Sequence, residues 1–279
     1  VMDKVFALTE VEDMYVNETS VEDNTVTVVY NENSAAVTVA GNVAKYLTIS
    51  VSGAHVNIAQ SDDLQQEITY TLSGSSADGE FYMSGSYKAT VELNGLTLTN
   101  TNPVASGAAV HIQNGKSIKV KVMDGTINTL VDNASGSQKG AFYVKGHLEF
   151  SKSGVLNVVG NLKHAIKSGE YIELKDATIN VTSAAGDGIN CGQYFLMESG
   201  VLDIRGVEDD GIQCDIEDTE VGSTGETVDH EDEDSGNIYL EGGTININTP
   251  GKAAKGIKSE GDLFVKAGTI NITTTGHGK

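Results

Sequence analysis

The chain has 279 residues, with 18 Lys and Arg against 39 Asp and Glu, and a formal net charge of −21. That balance excludes a partner that needs its phosphates neutralised, such as nucleic acid, and no apolar run reaches the roughly 18 residues of a membrane span. With 32 glycines, 2 prolines and no tryptophan, the composition disfavours long helices and favours short strands joined by tight turns.

The opening stretch "VMDKVFALTE" lacks a signal-peptide pattern, so an export signal is either already removed or was never there. Over residues 1–60, "NTVTVVYNENSAAVTVA" and "KYLTISVSGAHVNIAQ" alternate polar and apolar residues as half-buried strands do, without a fixed period. This region is expected to be an N-terminal β cap, because a stack of strands otherwise exposes its end. Residues 61–279 form the main domain, and "EITYTLSGSSADGEF" can begin its coiling.

From His164 the sequence repeats every 23 residues: "HAIKSGEYIELKDATINVTSAAG", then "DGINCGQYFLMESGVLDIRGVED", then "DGIQC" from Asp210. The pattern resumes as "KGIKSEGDLFVKAGTINITTTG" at Lys255, after an acidic insert at 215–235. Upstream, "GAFYVKGHLEFSKSGVLNVVG" and "AAVHIQNGKSIKVKVMDGTIN" fit the same template less tightly. Each unit holds two or three short alternating strands and cannot bury its apolar face alone, so successive units must stack. A leucine-rich repeat would need an Asn-punctuated leucine frame and a helical side, and neither is present. The predicted fold is therefore all-β: a right-handed, single-stranded parallel β-helix of about 23 residues per coil. The insert carries ten acids and no Lys or Arg over 215–234 and reads as a solvated, mobile loop. The chain stops where Lys279 would align with Lys255, on the opening of another coil; it is then a fragment, or a partner covers that end.

Stacking places equivalent side chains about 4.8 Å apart, so every repeat position becomes a ladder. Asn157, Asn180, Asp203, Asn246 and Asn271 form one, flanked by threonines. It either stiffens the sheet through paired amides or offers a flat surface to a polysaccharide or ice, although Asp203 and Arg205 interrupt it against the ice reading. A second ladder, Glu173, Leu196, Tyr239 and Phe264, turns apolar side chains outward. Tyr239 and Phe264 are candidate carbohydrate-stacking rings, unless a loop, the insert or another subunit covers them.

The third ladder is His164, Asp187, Asp210 and Lys255, with Lys167, Asn190, Gln213 and Lys258 three residues further on as candidate carbohydrate contacts. Asp209 precedes Asp210. Two carboxylates about 5 Å apart repel by about 3 kcal/mol at an effective dielectric near 20, so they share a proton, are neutralised by lysine, or hold a cation. Calcium suits Asp187, Asp209 and Asp210, because it takes carboxylates together with carbonyls that glycine turns expose; a splayed, salt-screened corner is the alternative. Cys191 and Cys214 should stack as a disulfide or as two buried thiols.

The block "LNGLTLTNTNPVASGAAVHIQNGKSIKVKVMDGTINTLVDN" at 93–133, followed by "HAIKSG", "GDGINC", "DDGIQC" and "KGIKSEGDLFVKAGTINIT", resembles a bacterial carbohydrate-binding domain family. The best-known member of that family comes from a cellulolytic clostridium. The resemblance covers about residues 85–279. It implies a secreted or surface-attached β-helix like that of pectate lyases, with calcium in its coils, binding cellulose or polygalacturonate without established cleavage. Three functions follow as expectations. The first is noncatalytic, calcium-assisted polysaccharide binding at the bacterial cell surface, the chain being secreted or carried as a lipoprotein. The second is a calcium-dependent lyase using Lys167 or Lys258 as base. The third is a structural or adhesive spacer.

Overall fold

A computed structural model of the chain describes residues 21–216 and 235–278. Among the described residues the secondary structure is strand throughout, apart from one short 3-10 turn at Ala44–Tyr46. Among these residues no helix is long and apolar enough to cross a membrane.

The repeat beginning at His164 shows how a coil is made. His164–Ser168, Ile172–Leu174 and Thr178–Ala184 are three strands separated by short turns, and they define a first, a second and a third face. Along the third, Ile179 and Val181 point inward and are buried, while Thr178 and Asn180 stand outside. Only alternation of period 2 sorts the side chains this way. The next coil repeats the arrangement with Ile189–Cys191, Tyr194–Met197 and Val201–Arg205.

Coil pairs with coil in parallel and in register. Ile166 lies opposite Ile189, Ile189 opposite Ile212, and Ile212 opposite Ile257. First-face strands form a nine-stranded sheet; second- and third-face strands form a sixteen-stranded one. The long strand Ala89–Thr99 joins the latter, because it pairs with Ile118–Val122 of the second face and Ile127–Val131 of the third. The result is an all-β solenoid with one continuous apolar core from Val26 to Ile247.

Two antiparallel hairpins close the N-terminal end, Thr25–Asn31 with Ser34–Val39 and Leu47–Ser52 with Ala54–Gln60. One strand of each also stacks in parallel on the coil that follows: Thr25–Asn31 on Ile68–Ser76, and Ala54–Gln60 on Gly79–Ser84. Parallel stacking thus begins inside the first 60 residues, and the outer strands Ser34–Val39 and Leu47–Ser52 occupy the end of the stack. Residues 1–20 of the expected cap, and 217–234 of the acidic insert, lie outside the described residues. In the last coil, inward positions are open: Leu263, Val265 and Ile272 are exposed by 48%, 57% and 44%.

Cys191 and Cys214 are paired in register and both are free, buried thiols rather than a disulfide.

Candidate functional site

The turns between third and first faces build the acidic ladder. Gly188 and Gly211 bring neighbouring coils into contact here: a Cβ on Gly211 would meet the Gly256 carbonyl at 2.5 Å and Ile247 at 2.6 Å. With the backbones this close, each acid reaches the next coil. Asp187 Oδ1 accepts the amide of Asp210 at 3.1 Å, and Asp210 Oδ1 accepts the amide of Lys255 at 2.7 Å. Asp187 and Asp210 are only 1% and 2% exposed, so the expectation of a splayed, solvated corner does not hold for them; Asp209 is exposed.

Asp187 Oδ2 is 3.0 Å from Nδ1 of buried His164 and accepts a hydrogen bond from Asn190 Nδ2 at 3.0 Å. The same Nδ1 lies 3.2 Å from the Asp187 amide, and it can serve only one of these neighbours. A proton on Nδ1 gives the charge-assisted contact to Oδ2, which is the stronger of the two. Burial lowers the His164 pKa, with the adjoining Asp187 opposing. Burial works against ionisation of Asp187 too, yet the bonds and charge from His164, Asp210 and Asn190 outweigh it and hold its carboxyl below the usual carboxylate range. At Asp210 the balance reverses: burial and the charges of Asp209 and Asp187 push its pKa up, against the Lys255 amide and ammonium.

Asp187 and Asp209 open onto a cleft of about 330 Å³ lined also by Lys139, Lys163, Lys167, Lys258, Gln213 and Asp215. In it, Lys167 lies opposite Asn190, Asn190 opposite Gln213, and Gln213 opposite Lys258, so the predicted polar column is contiguous. Lys167 Nζ donates to Asn190 Oδ1 at 2.5 Å, and Gln213 Nε2 donates to Asp215 Oδ1 at 2.5 Å. Lys258 Nζ stands 3.8 Å from Asp210 Oδ2 and Lys255 Nζ 3.9 Å from Oδ1.

Asp187, Asp209 and Asp210 each bring a carboxylate oxygen within 4.8 Å of the others. Three hard oxygen donors, one of them with its ionisation opposed by the other two, fit the demand of a divalent cation. The ammoniums of Lys255 and Lys258 already neutralise part of that charge.

Tyr239 and Phe264 are elsewhere, on the second face, stacked at 5.2 Å and 8° between ring planes. They continue the column of Glu149, Glu173 and Leu196, as their spacing predicts. Tyr171 and Tyr194 stack beside them at 4.6 Å and 17°. On the third face the amides satisfy one another: Asn180 Nδ2 donates to Asn157 Oδ1 at 3.0 Å, Asn271 Nδ2 to Asn246 Oδ1 at 2.9 Å, and Arg205 clamps Asp203 with two bonds of 2.7 Å. Those lateral bonds stiffen that face.

The first-face column extends upstream beyond Lys167, through Tyr143, His111 and Tyr82. These three were not among the residues expected from sequence. Their separations follow the longer upstream coils, so the 23-residue period does not reach them.

The sequence model of a family described as "Carbohydrate-binding domain-containing protein" matches residues 52–279. No curated protein sequence matches the chain. Among solved structures, the polysaccharide lyase-like protein from C. thermocellum, in a gadolinium derivative, superposes with a TM-score of 0.62 at 21% identity, covering 91% of this chain and 99% of that one. At that identity the likeness is one of fold.

Proposed function

The chain belongs to the carbohydrate-binding domain-containing protein family, and from that premise we propose that the first-face cleft binds a polysaccharide without cleaving it. One observation carries this reading: Lys167, Asn190, Gln213 and Lys258 stand in unbroken register along a cleft, so ammonium and amide groups recur at the strand spacing. A chain of repeating sugars meets Lys167, Gln213 and Lys258 there, while Asn190, 3% exposed and bonded to Asp187, Asp215 and Lys167, holds its neighbours in place and is not itself a sugar contact. A plant cell-wall polymer such as polygalacturonate, which adds a carboxylate to each unit, uses the lysines best; cellulose would use the amide of Gln213 alone. Tyr239 and Phe264, on the adjoining second face, supply a separate stacking contact.

Calcium assists at Asp187, Asp209 and Asp210. When bound, it would relieve the mutual repulsion of these carboxylates and could bridge to a uronate. The coil is taken as right-handed with about 23 residues per turn, in keeping with the rule that parallel crossover connections are right-handed in about 98% of cases. A polymer of this class is met outside the cell, which puts the protein at the bacterial surface or in the medium.

Elimination is the less favoured reading. Lys167 Nζ donates to Asn190 Oδ1 and Lys258 Nζ stands 3.8 Å from Asp210 Oδ2, so each nitrogen already faces an acceptor of this chain, whereas a base must be free to face the proton it takes. A purely structural spacer would not need a contiguous polar column in a cleft.

Calorimetric titration with polygalacturonate, in calcium and then in EDTA, tests the proposal. Binding in calcium that weakens in EDTA, with no rise in unsaturated-product absorbance, is the expected result. Absence of binding in calcium would reject the function; binding insensitive to EDTA would reject only the role of calcium.

A further inference from the structure

Eight outward side chains follow one another along the first face: Asn57, Tyr82, His111, Tyr143, Lys167, Asn190, Gln213 and Lys258. None is aliphatic and none is acidic. The column changes chemistry midway, from rings to ammonium and amide groups. Tyr82 packs on His111 at 4.7 Å and 69°, and His111 on Tyr143 at 5.0 Å and 90°. His111 is itself buried and held on both sides, Nδ1 by Ser106 Oγ at 2.8 Å and Nε2 by Gln113 Oε1 at 3.0 Å. The two half-buried tyrosines are thus set on a rigid spacer, at low entropic cost to a ligand.

We propose that Tyr82 and Tyr143 form an aromatic subsite for sugar-ring faces, continuous with the lysine and amide cleft. The bound chain then runs along the solenoid axis, across coils. The proposal rests on the polysaccharide-binding reading of that cleft and adds its direction, its length and the residues at its far end. From Tyr82 to Lys258 there are six strand steps of about 4.8 Å, a span of about 29 Å. A ligand lying across one coil would touch a single member of the column. One lying along the axis touches the ring end only when it is long enough to pass Lys167. The chemistry divides accordingly: rings take the apolar C–H faces of sugars and bury large area, while the polar half takes hydroxyls and carboxylates.

The test titrates short and long oligogalacturonides against the full chain, a Tyr82→Ile/Tyr143→Ile variant and a Tyr82→Phe/Tyr143→Phe variant. Isoleucine keeps strand propensity, and unchanged melting temperatures establish that both variants fold. The expected result is a loss of about tenfold for long chains in the isoleucine variant, no change for short ones, and near-wild-type binding of both in the phenylalanine variant. Unchanged long-chain affinity in the isoleucine variant overturns the subsite. So does an equal loss for short and long chains, or a loss in the phenylalanine variant matching that of isoleucine. If neither oligomer binds even the unaltered protein, it is the function of the cleft that fails. A folding defect in the isoleucine variant leaves the phenylalanine pair and the dependence on chain length in the unaltered protein, and affinity that does not rise from short to long oligomers overturns the axial path.

Discussion

Asp187 and Asp210 occupy the same position in successive coils, each followed by Gly-Ile, each buried, and each bonded to the backbone amide of the next coil. Their carboxyls are nevertheless driven in opposite directions. Asp187 has His164 behind it and Asn190 beside it; Asp210 has two carboxylates at its back and lysine ahead. Stacking copies geometry from coil to coil, but the charge at any step is set by the unlike neighbour. The acidic step is therefore architecture on one side and a poised charge on the other.

The largest test removes the geometry both acids share. Gly211→Val should destabilise the fold by about 3 kcal/mol or prevent folding, because the added side chain meets the Gly256 carbonyl and Ile247; denaturant unfolding reads this. Next, Asp187→Ala should cost about 2 kcal/mol by orphaning the buried amide of Asp210 and removing one acceptor from the Asn190 amide. Asp210→Ala should cost less, since losing its bond to the Lys255 amide is offset by relief of repulsion. Equal costs would mean that position alone, and not the neighbouring coil, sets the energetics.

The pH dependence separates the two acids by sign. A depressed folded pKa makes the Asp187 contribution present above the unfolded value, near 3.9, and lost as pH falls through the folded one. The raised pKa of Asp210 gives a contribution present below that unfolded value and lost as pH rises through the folded one. Melting curves over this range should show that Asp187→Asn flattens the acid-side loss, whereas Asp210→Asn removes the decline on the way to neutrality. Calcium should raise the melting temperature of the wild type at neutral pH, and do so less for Asp210→Asn. The smallest effect belongs to the third face: Asn180→Ala should cost below about 1 kcal/mol, one lateral amide bond.

Much of this was legible in the sequence because a parallel stack turns period into proximity. The 23-residue spacing fixed the pairing of Asn157 with Asn180, of Lys167 with Asn190 and of Cys191 with Cys214, and the structure has each. Other features follow no period. Ile118 and Leu148 are paired but 30 residues apart, so the upstream coils are longer, and Tyr82, His111 and Tyr143 do not announce themselves as one column. Nor does alternation distinguish a strand that stacks in parallel from one that folds back, which is why Thr25–Asn31 reads equally well as cap or as coil. The burial of Asp187 depended on close backbone approach at Gly188 and Gly211, a tertiary fact. Tyr239 and Phe264 belong to a different face from the lysine column because the turn at the coil corner separates them.

The central claim is that the first face, not the third, meets the polysaccharide. Calorimetric titration of polygalacturonate in calcium against Lys167→Ala/Lys258→Ala, with Asn157→Ala/Asn180→Ala as the third-face counterpart, tests it most directly. The first-face variant should lose affinity by about tenfold or more, and the third-face variant should bind as the wild type does. Unchanged affinity in the first-face variant, or a greater loss in the third-face one, would contradict the claim.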